Sequence, residues 1–285
     1  MAYEIKERSL GEILEGAFEL YRDHFAPFMT LALCVAVPTT LLTALATWLF
    51  TGYTDAGAAF EAIDSQVLAN AEANPAEARA AVEVALRWMI ATGFALQVAM
   101  VGSVVQGAAM TLIIADTYLG QPLSVSSGFR RALAHLGPLM GAGVLAGVGI
   151  ALGFLCLIVP GILLMIRWMF TTQAIVIDGS DGTASLGRSH ELSRGNAISY
   201  LGLLLALGLF GFVIHVLLRA LVPDSVDAIP GLRELLGLIP QVLVTPFSAA
   251  AITLAYFDAR VRNEGFDLRQ LRLGPDQPAR VSPPP

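Results

Sequence analysis

Arg167 is a charged residue well inside a long apolar stretch, where a charge must face protein, face water or reach for the boundary of the apolar phase. Gln241 falls at a matching depth in another such stretch, with His215 and Gln97 nearer the same boundary. Brought together, Arg167, Gln241, His215 and Gln97 would form a polar pocket whose guanidinium fork suits a phosphate or carboxylate. The simpler account is that Arg167 snorkels outward or bonds a carbonyl, with Trp168 at the helix surface. A second group, Arg188, His190, Glu191 and Arg194, has the residue types for headgroup binding or acid–base work. Such a run is more often the solvated face of an interfacial helix, with Glu191 paired to a neighbouring Arg. Arg130 and Arg131 join Arg188 and Arg194 as candidate headgroup contacts. Asp116, Asp178 and Asp258 could couple to protons or cations, but their positions favour helix termination or pairing with Arg130, Arg188 and Arg260. With no histidine pair at metal-ligand spacing and no legible nucleophile–base set, no catalytic residue, metal or cofactor is expected.

The elements that would carry these residues follow from composition. Of 285 residues, 55% are hydrophobic and only 14% charged, against about a quarter charged in an ordinary soluble domain. Mean hydropathy is +0.68, so the chain is expected to be an all-α integral membrane protein. A span needs about 20 apolar residues. Six segments qualify: residues 27–50, 88–118, 136–159, 162–177, 197–221 and 235–258, with Pro160-Gly161 as the turn between the third and fourth. Cys34 and Cys156 lie in apolar runs and read as buried thiols. The charged residues before Leu10 do not read as a signal peptide. No strongly basic domain exists, so nucleic acid is not an expected partner.

Basic residues set the expected orientation. Lys6, Arg8, Arg22, Arg130, Arg131, Arg188, Arg194, Arg260, Arg262, Arg269, Arg272 and Arg280 fall on one side, and only Arg79, Arg87, Arg219 and Arg233 on the other. Both termini are therefore expected in the cytoplasm of a bacterial cell, with the chain in its inner membrane. Residues 51–87 then form an acidic periplasmic extension. Asn74-Pro75-Ala76-Glu77 there resembles a helix start, and a helix from Pro75 to Tyr118 would be about 65 Å long. Phe60, Ile63, Val67 and Leu68 suggest a shorter helix before it. Residues 9–25 are amphipathic, with Ser9 and Glu12 as a capping box. Similar short helices are expected near 124–135 and 183–194, giving three cytoplasmic interfacial helices and a possible threefold repeat of short helix, span out, span back. Gly141, Gly143, Gly147, Gly149 and Gly153 crowd the third span and imply close packing or a dimer face. Pro38, Pro240 and Pro246 should kink their spans. Residues 1–262 are thus expected as one six-span domain and 263–285 as a tail, disordered at its end.

Several motifs carry a family resemblance: Leu10-Gly11-Glu12-Ile13-Leu14, Pro160-Gly161-Ile162 with Arg167-Trp168, and Arg188-Ser189-His190-Glu191-Leu192 with Arg194-Gly195. The last is Tyr256-Phe257-Asp258-Ala259-Arg260-Val261-Arg262, followed by Glu264-Gly265-Phe266-Asp267-Leu268. Together they resemble the bacterial six-helix membrane domain that precedes some glycerophosphoryl diester phosphodiesterases, and its stand-alone relatives of unknown function. The resemblance implies the fold. The activity would need a soluble α/β barrel of about 250 residues, which is not expected after the sixth span. The expected role is a non-enzymatic, lipid-binding or membrane-organising one, with membrane lipids and a homo-oligomer or membrane-protein partner. The alternative is a small transporter or lipid-translocating protein working through the Arg167 region, and an enzyme is the third choice.

Overall fold

The computed structural model describes residues 9–52, 74–118, 120–121, 124–222 and 232–264. The expected helix around Phe60–Leu68 and the tail beyond Glu264 lie outside them. Among the described residues are ten α-helices and no strand. They are α1 (Leu10–Asp23), α2 (Phe25–Thr51), α3 (Pro75–Tyr118), α4 (Val125–Ala134) and α5 (Leu136–Cys156). The remainder are α6 (Ile158–Arg167), α7 (Thr171–Val176), α8 (Gly182–Ser193), α9 (Ala197–Leu221) and α10 (Leu232–Glu264). Six helical segments are long and apolar enough to cross a membrane: α2, α3, α5, α6 with α7, α9 and α10. The chain is an all-α, multi-pass membrane protein.

Two compact units divide the chain. One comprises Met1–Leu33, Val104–Leu221 and Pro240–Pro285, and the other Cys34–Ser103 and Val222–Ile239. In the second unit α2 and α3 approach where a Cβ on Gly102 would come within 2.5 Å of Thr39 Cγ2. In the first, α1 begins with the expected capping box. Ser9 Oγ accepts from the Glu12 N–H at 3.3 Å, and Glu12 Oε2 accepts from the Ser9 N–H at 2.8 Å. Ile13, Ala17 and Leu20 form its buried stripe. The spans turn apolar side chains outward, as lipid-facing helices do. Only 11% of the most apolar stretch of α9 is buried, and Leu205, Leu209, Phe212 and Leu217 stand exposed.

α3 starts at Pro75 and runs unbroken to Tyr118, as the sequence implies. The hairpin joining α5 to the fourth span differs from expectation. The turn falls at Leu157, in extended conformation (φ −164°, ψ 150°), not at Pro160-Gly161. Pro160 instead occupies the first turn of α6, where its missing N–H has no intrahelical acceptor to lose. The close approach of the two helices explains the shift. A Cβ on Gly153 would lie 3.0 Å from both Cα and N of Gly161, and one on Gly149 would strike the Trp168 ring at 2.5 Å. Trp168 is therefore half-buried against Gly149 instead of lying at the free surface. Gly141 and Gly147 have open space beside them, so only part of the glycine-rich stretch is packing surface. Cys34 and Cys156, expected to be buried, are exposed on their apolar helices.

The fourth span is itself broken, with α6 ending at Arg167 and α7 beginning at Thr171. Ser189 of α8 mends the break: its hydroxyl donates to the Arg167 carbonyl at 2.8 Å and accepts from the Phe170 N–H at 3.0 Å. The sequence pattern around residues 183–194 predicts an interfacial helix. Instead Ser185, Leu186, Ser189, Leu192 and Ser193 are buried, a mostly small, hydroxyl-bearing face turned into the protein.

Gly153→Ala should lower stability by about 1–3 kcal/mol, because the added methyl meets backbone atoms that cannot give way. Gly147→Ala, with nothing nearby, should be neutral or gain roughly 0.5–1 kcal/mol of helix propensity. Thermal unfolding of both variants in detergent, followed by circular dichroism, checks the contrast.

Candidate functional site at the arginine-rich end

Buried aromatic rings form the floor of one end of the first unit. Phe170, in the break between α6 and α7, meets Tyr200 of α9 edge-on at 5.1 Å and Tyr256 of α10 at 5.8 Å. Phe257 stacks on Tyr118 at 5.3 Å, which ties α10 to the end of α3. On this floor the acidic residues that end the returning spans meet the arginines of other elements.

Asp178, just after α7, accepts from Arg188 Nε at 3.0 Å and from Arg260 Nη1 at 2.8 Å. Arg260 Nε also bonds Glu264 at 3.2 Å, and Arg188 Nη1 bonds the other oxygen of Glu264. Two guanidinium groups and two carboxylates thus close a neutral ring linking α8 to α10. Arg260 also lies over the Tyr256 ring, 5.9 Å from its centroid. The Glu264 carboxylate, aided by Asp178, holds the Arg188 guanidinium above its ordinary pKa against the opposing effect of burial. Asn263 Nδ2 donates to the Leu192 carbonyl at 2.9 Å, capping the end of α8. Asp116 takes both oxygens to Arg131 Nη1 at 3.0 and 2.7 Å.

The pairing differs from expectation in two places. Asp116 meets Arg131, while Arg130 is exposed. Asp258 bonds Arg262 at 2.7 Å, and Arg260 turns to Asp178. Helix geometry accounts for the second: Arg262 is four residues from Asp258 and shares its face, whereas Arg260, two residues away, points around the helix. Of the four expected headgroup contacts, Arg131 and Arg188 are engaged in ion pairs, and Arg130 and Arg194 are exposed. Glu191 is exposed and makes no ion pair among the described residues, so Arg188, His190, Glu191 and Arg194 do not converge.

Nor are the members of the Arg167 constellation that lie in the first unit, Arg167, His215 and Gln241, joined to one another. Arg167, Gln241, His215 and Gln97 are all exposed, and among the described residues no hydrogen bond or ion pair joins Arg167 to Gln241 or His215. Because α6 begins at Ile158, Arg167 sits about 14 Å along the helix from its start.

Sequence reasoning passed over a cavity of about 300 Å³ at this end, between the starts of α1 and α9 and the end of α10. Its apolar lining residues are Leu10, Ile13 and Leu203. Its polar lining residues are Ser9, Asn196, Ser199, Tyr200, Asp258 and Arg262. Gly195, at φ +89°, makes the left-handed turn that brings Asn196 to the head of α9. The i,i+4 pair Asp258–Arg262 was the available signal, but partners on α1 and α9 have no local signature.

Arg260→Gln should destabilise the protein on the order of 3 kcal/mol, since it leaves Asp178 and Glu264 sharing one guanidinium. Adding Asp178→Asn should recover part of the loss. Unfolding midpoints of the two single variants and the double variant measure that coupling.

No curated protein and no solved structure matches the chain. Residues 20–259, from within α1 to within α10, match the family described as a domain of unknown function (DUF7847), and the chain belongs to that family.

Proposed function

We propose that this chain is a non-enzymatic lipid-binding protein of a bacterial inner membrane, organising lipids or membrane-protein partners from the cytoplasmic leaflet. One observation carries the reading: the outward surfaces of the spans are apolar, while arginines and carboxylates gather at one end, where a cavity is lined by both apolar and polar residues. That lining suits a headgroup with the start of an acyl chain. The lopsided distribution of basic residues supports placing this end, with both termini, on the cytoplasmic side. We read α1 and α4 as interfacial, and the recurring order of short helix, span, span as one unit used three times. The likeness to the phosphodiesterase membrane domain is part of the same proposal and concerns the fold. A homo-oligomer through the apolar spans is compatible with it. Transport through the Arg167 region is the less supported reading, because its side chains are exposed and not joined.

Orientation is tested by labelling single cysteines in a background carrying Cys34→Ala and Cys156→Ala. Asn74→Cys should react with an impermeant maleimide in intact cells, and Ser126→Cys only after permeabilisation. The reverse pattern overturns the orientation. Native mass spectrometry of the detergent-purified chain should show retained phospholipid. Complete delipidation under gentle conditions would overturn the lipid-binding role.

A further inference from the structure

The hairpin of α5 and α6 carries no polar side chain at the place where a span would meet water. From Leu136 through Ile166 the sequence contains no charged, hydroxyl or amide residue, and the turn at Leu157 lies within that run. The connections after α2 and α9 are different: Asp55, Glu61 and Asp64 follow the one, and Asp224, Ser225 and Asp227 the other. At the tip of the hairpin Leu155, Leu157, Ile158 and Val159 are each 65% to 83% exposed, continuous with exposed Leu152 and Leu163 on its two arms. The arms close tightly there, since a Cβ on Gly161 would strike the Phe154 ring. α5 and α9 both lead away from the arginine-rich end, but α5 has 21 residues and α9 has 25. At 1.5 Å per residue α5 is about 31 Å long, roughly 6 Å shorter than α9. That length only just matches a hydrocarbon core of about 30 Å, and the tilt usual for spans shortens its reach.

We propose that the α5–α6 hairpin ends inside the membrane, its tip Leu155–Val159 held among the acyl chains and ester groups of the leaflet opposite the arginine-rich end. A tip in water would leave these large apolar side chains wetted, which the hydrophobic effect opposes. In lipid the cost falls on unmatched backbone groups, and this turn has few of them. Leu157 alone lies outside the two helices, and its N–H donates to the Gly153 carbonyl at 3.0 Å. Pro160 removes one of the free donors that a helix start presents, and the ester carbonyls of a phospholipid can accept from the others. That requirement sets the depth of the tip, past the phosphates and at the edge of the acyl chains. Lipid is the occupant this surface selects. Its exposed residues continue into the outward sides of both arms without the polar rim that borders a protein interface. The proposal needs only that the chain spans a membrane, and it holds whichever end faces the cytoplasm.

Cys156 is a native probe at the tip, exposed and next to Leu157. The experiment takes the full chain with Cys34→Ala, attaches a nitroxide to Cys156 in detergent, and reconstitutes the protein into vesicles of phosphatidylethanolamine and phosphatidylglycerol. Relaxation of the label by dissolved oxygen, which concentrates in the acyl phase, is compared with relaxation by a water-soluble nickel chelate. The aqueous reference is Asn74→Cys, just before α3 and exposed, in a background of Cys34→Ala and Cys156→Ala. At Cys156 oxygen should relax the label several times more effectively than the chelate, and at Asn74→Cys the order should reverse. Equal or greater access of the chelate at Cys156 puts the tip in water and overturns the proposal. Shielding from both reagents means that protein covers the tip, and it overturns lipid as the partner. Neither result bears on whether the purified chain retains phospholipid, so failure here is distinct from failure of the lipid-binding reading.

Discussion

Inside a bilayer no water is at hand to satisfy an interrupted helix, so every break in a span needs a partner from the protein. The gap between α6 and α7 is such a break, and one hydroxyl, Ser189, serves a carbonyl on one side of it and an N–H on the other. This requirement draws α8 inward, on a face of Ser185, Ser189 and Ser193 small enough to approach closely. Once α8 is seated, Arg188 stands beside Asp178, and Arg260 and Glu264 of α10 complete the ionic ring. The arginine-rich end is thus organised around a backbone defect in the fourth span.

The chemistry of that ring depends on arginine. Each of its two guanidinium groups spans two carboxylates through separate nitrogens, a geometry that the single ammonium of lysine does not reproduce. Only Lys6 among the 17 basic residues is a lysine, in keeping with an end built from forked contacts. Because the ring is electrically neutral and partly buried, it fixes α8 against α10 without leaving net charge at the membrane edge. Among the described residues, Arg130 and Arg194 are exposed and add positive charge toward the surroundings.

The class of fold was legible because its signal is long: twenty apolar residues in a row have few alternatives to a span. The start of α3 at Pro75 and the capping box at Ser9 and Glu12 were legible because their signals are local. The hairpin between α5 and α6 was misread for the converse reason. Nothing polar marks Leu157, and the position of the turn is set by Gly149, Gly153 and Gly161 meeting across the pair. At the arginine-rich end, Asp258–Arg262 and Arg260–Glu264 follow helical spacing, but the pairing of Arg260 with Asp178 joins residues far apart in sequence. Tyr200 carried no sequence signal as a cavity residue, because an aromatic residue in an apolar helix looks like packing alone.

The reliance of the fourth span on Ser189 bears on how the protein is made. A chain emerging from the ribosome delivers α6 and α7 to the membrane before α8 exists, so the interrupted backbone enters the lipid phase with its Arg167 carbonyl and Phe170 N–H unmatched by that hydroxyl. The last bonds of the fourth span's backbone therefore close only when residues 182–193 have followed it, so a helix made later completes one made earlier.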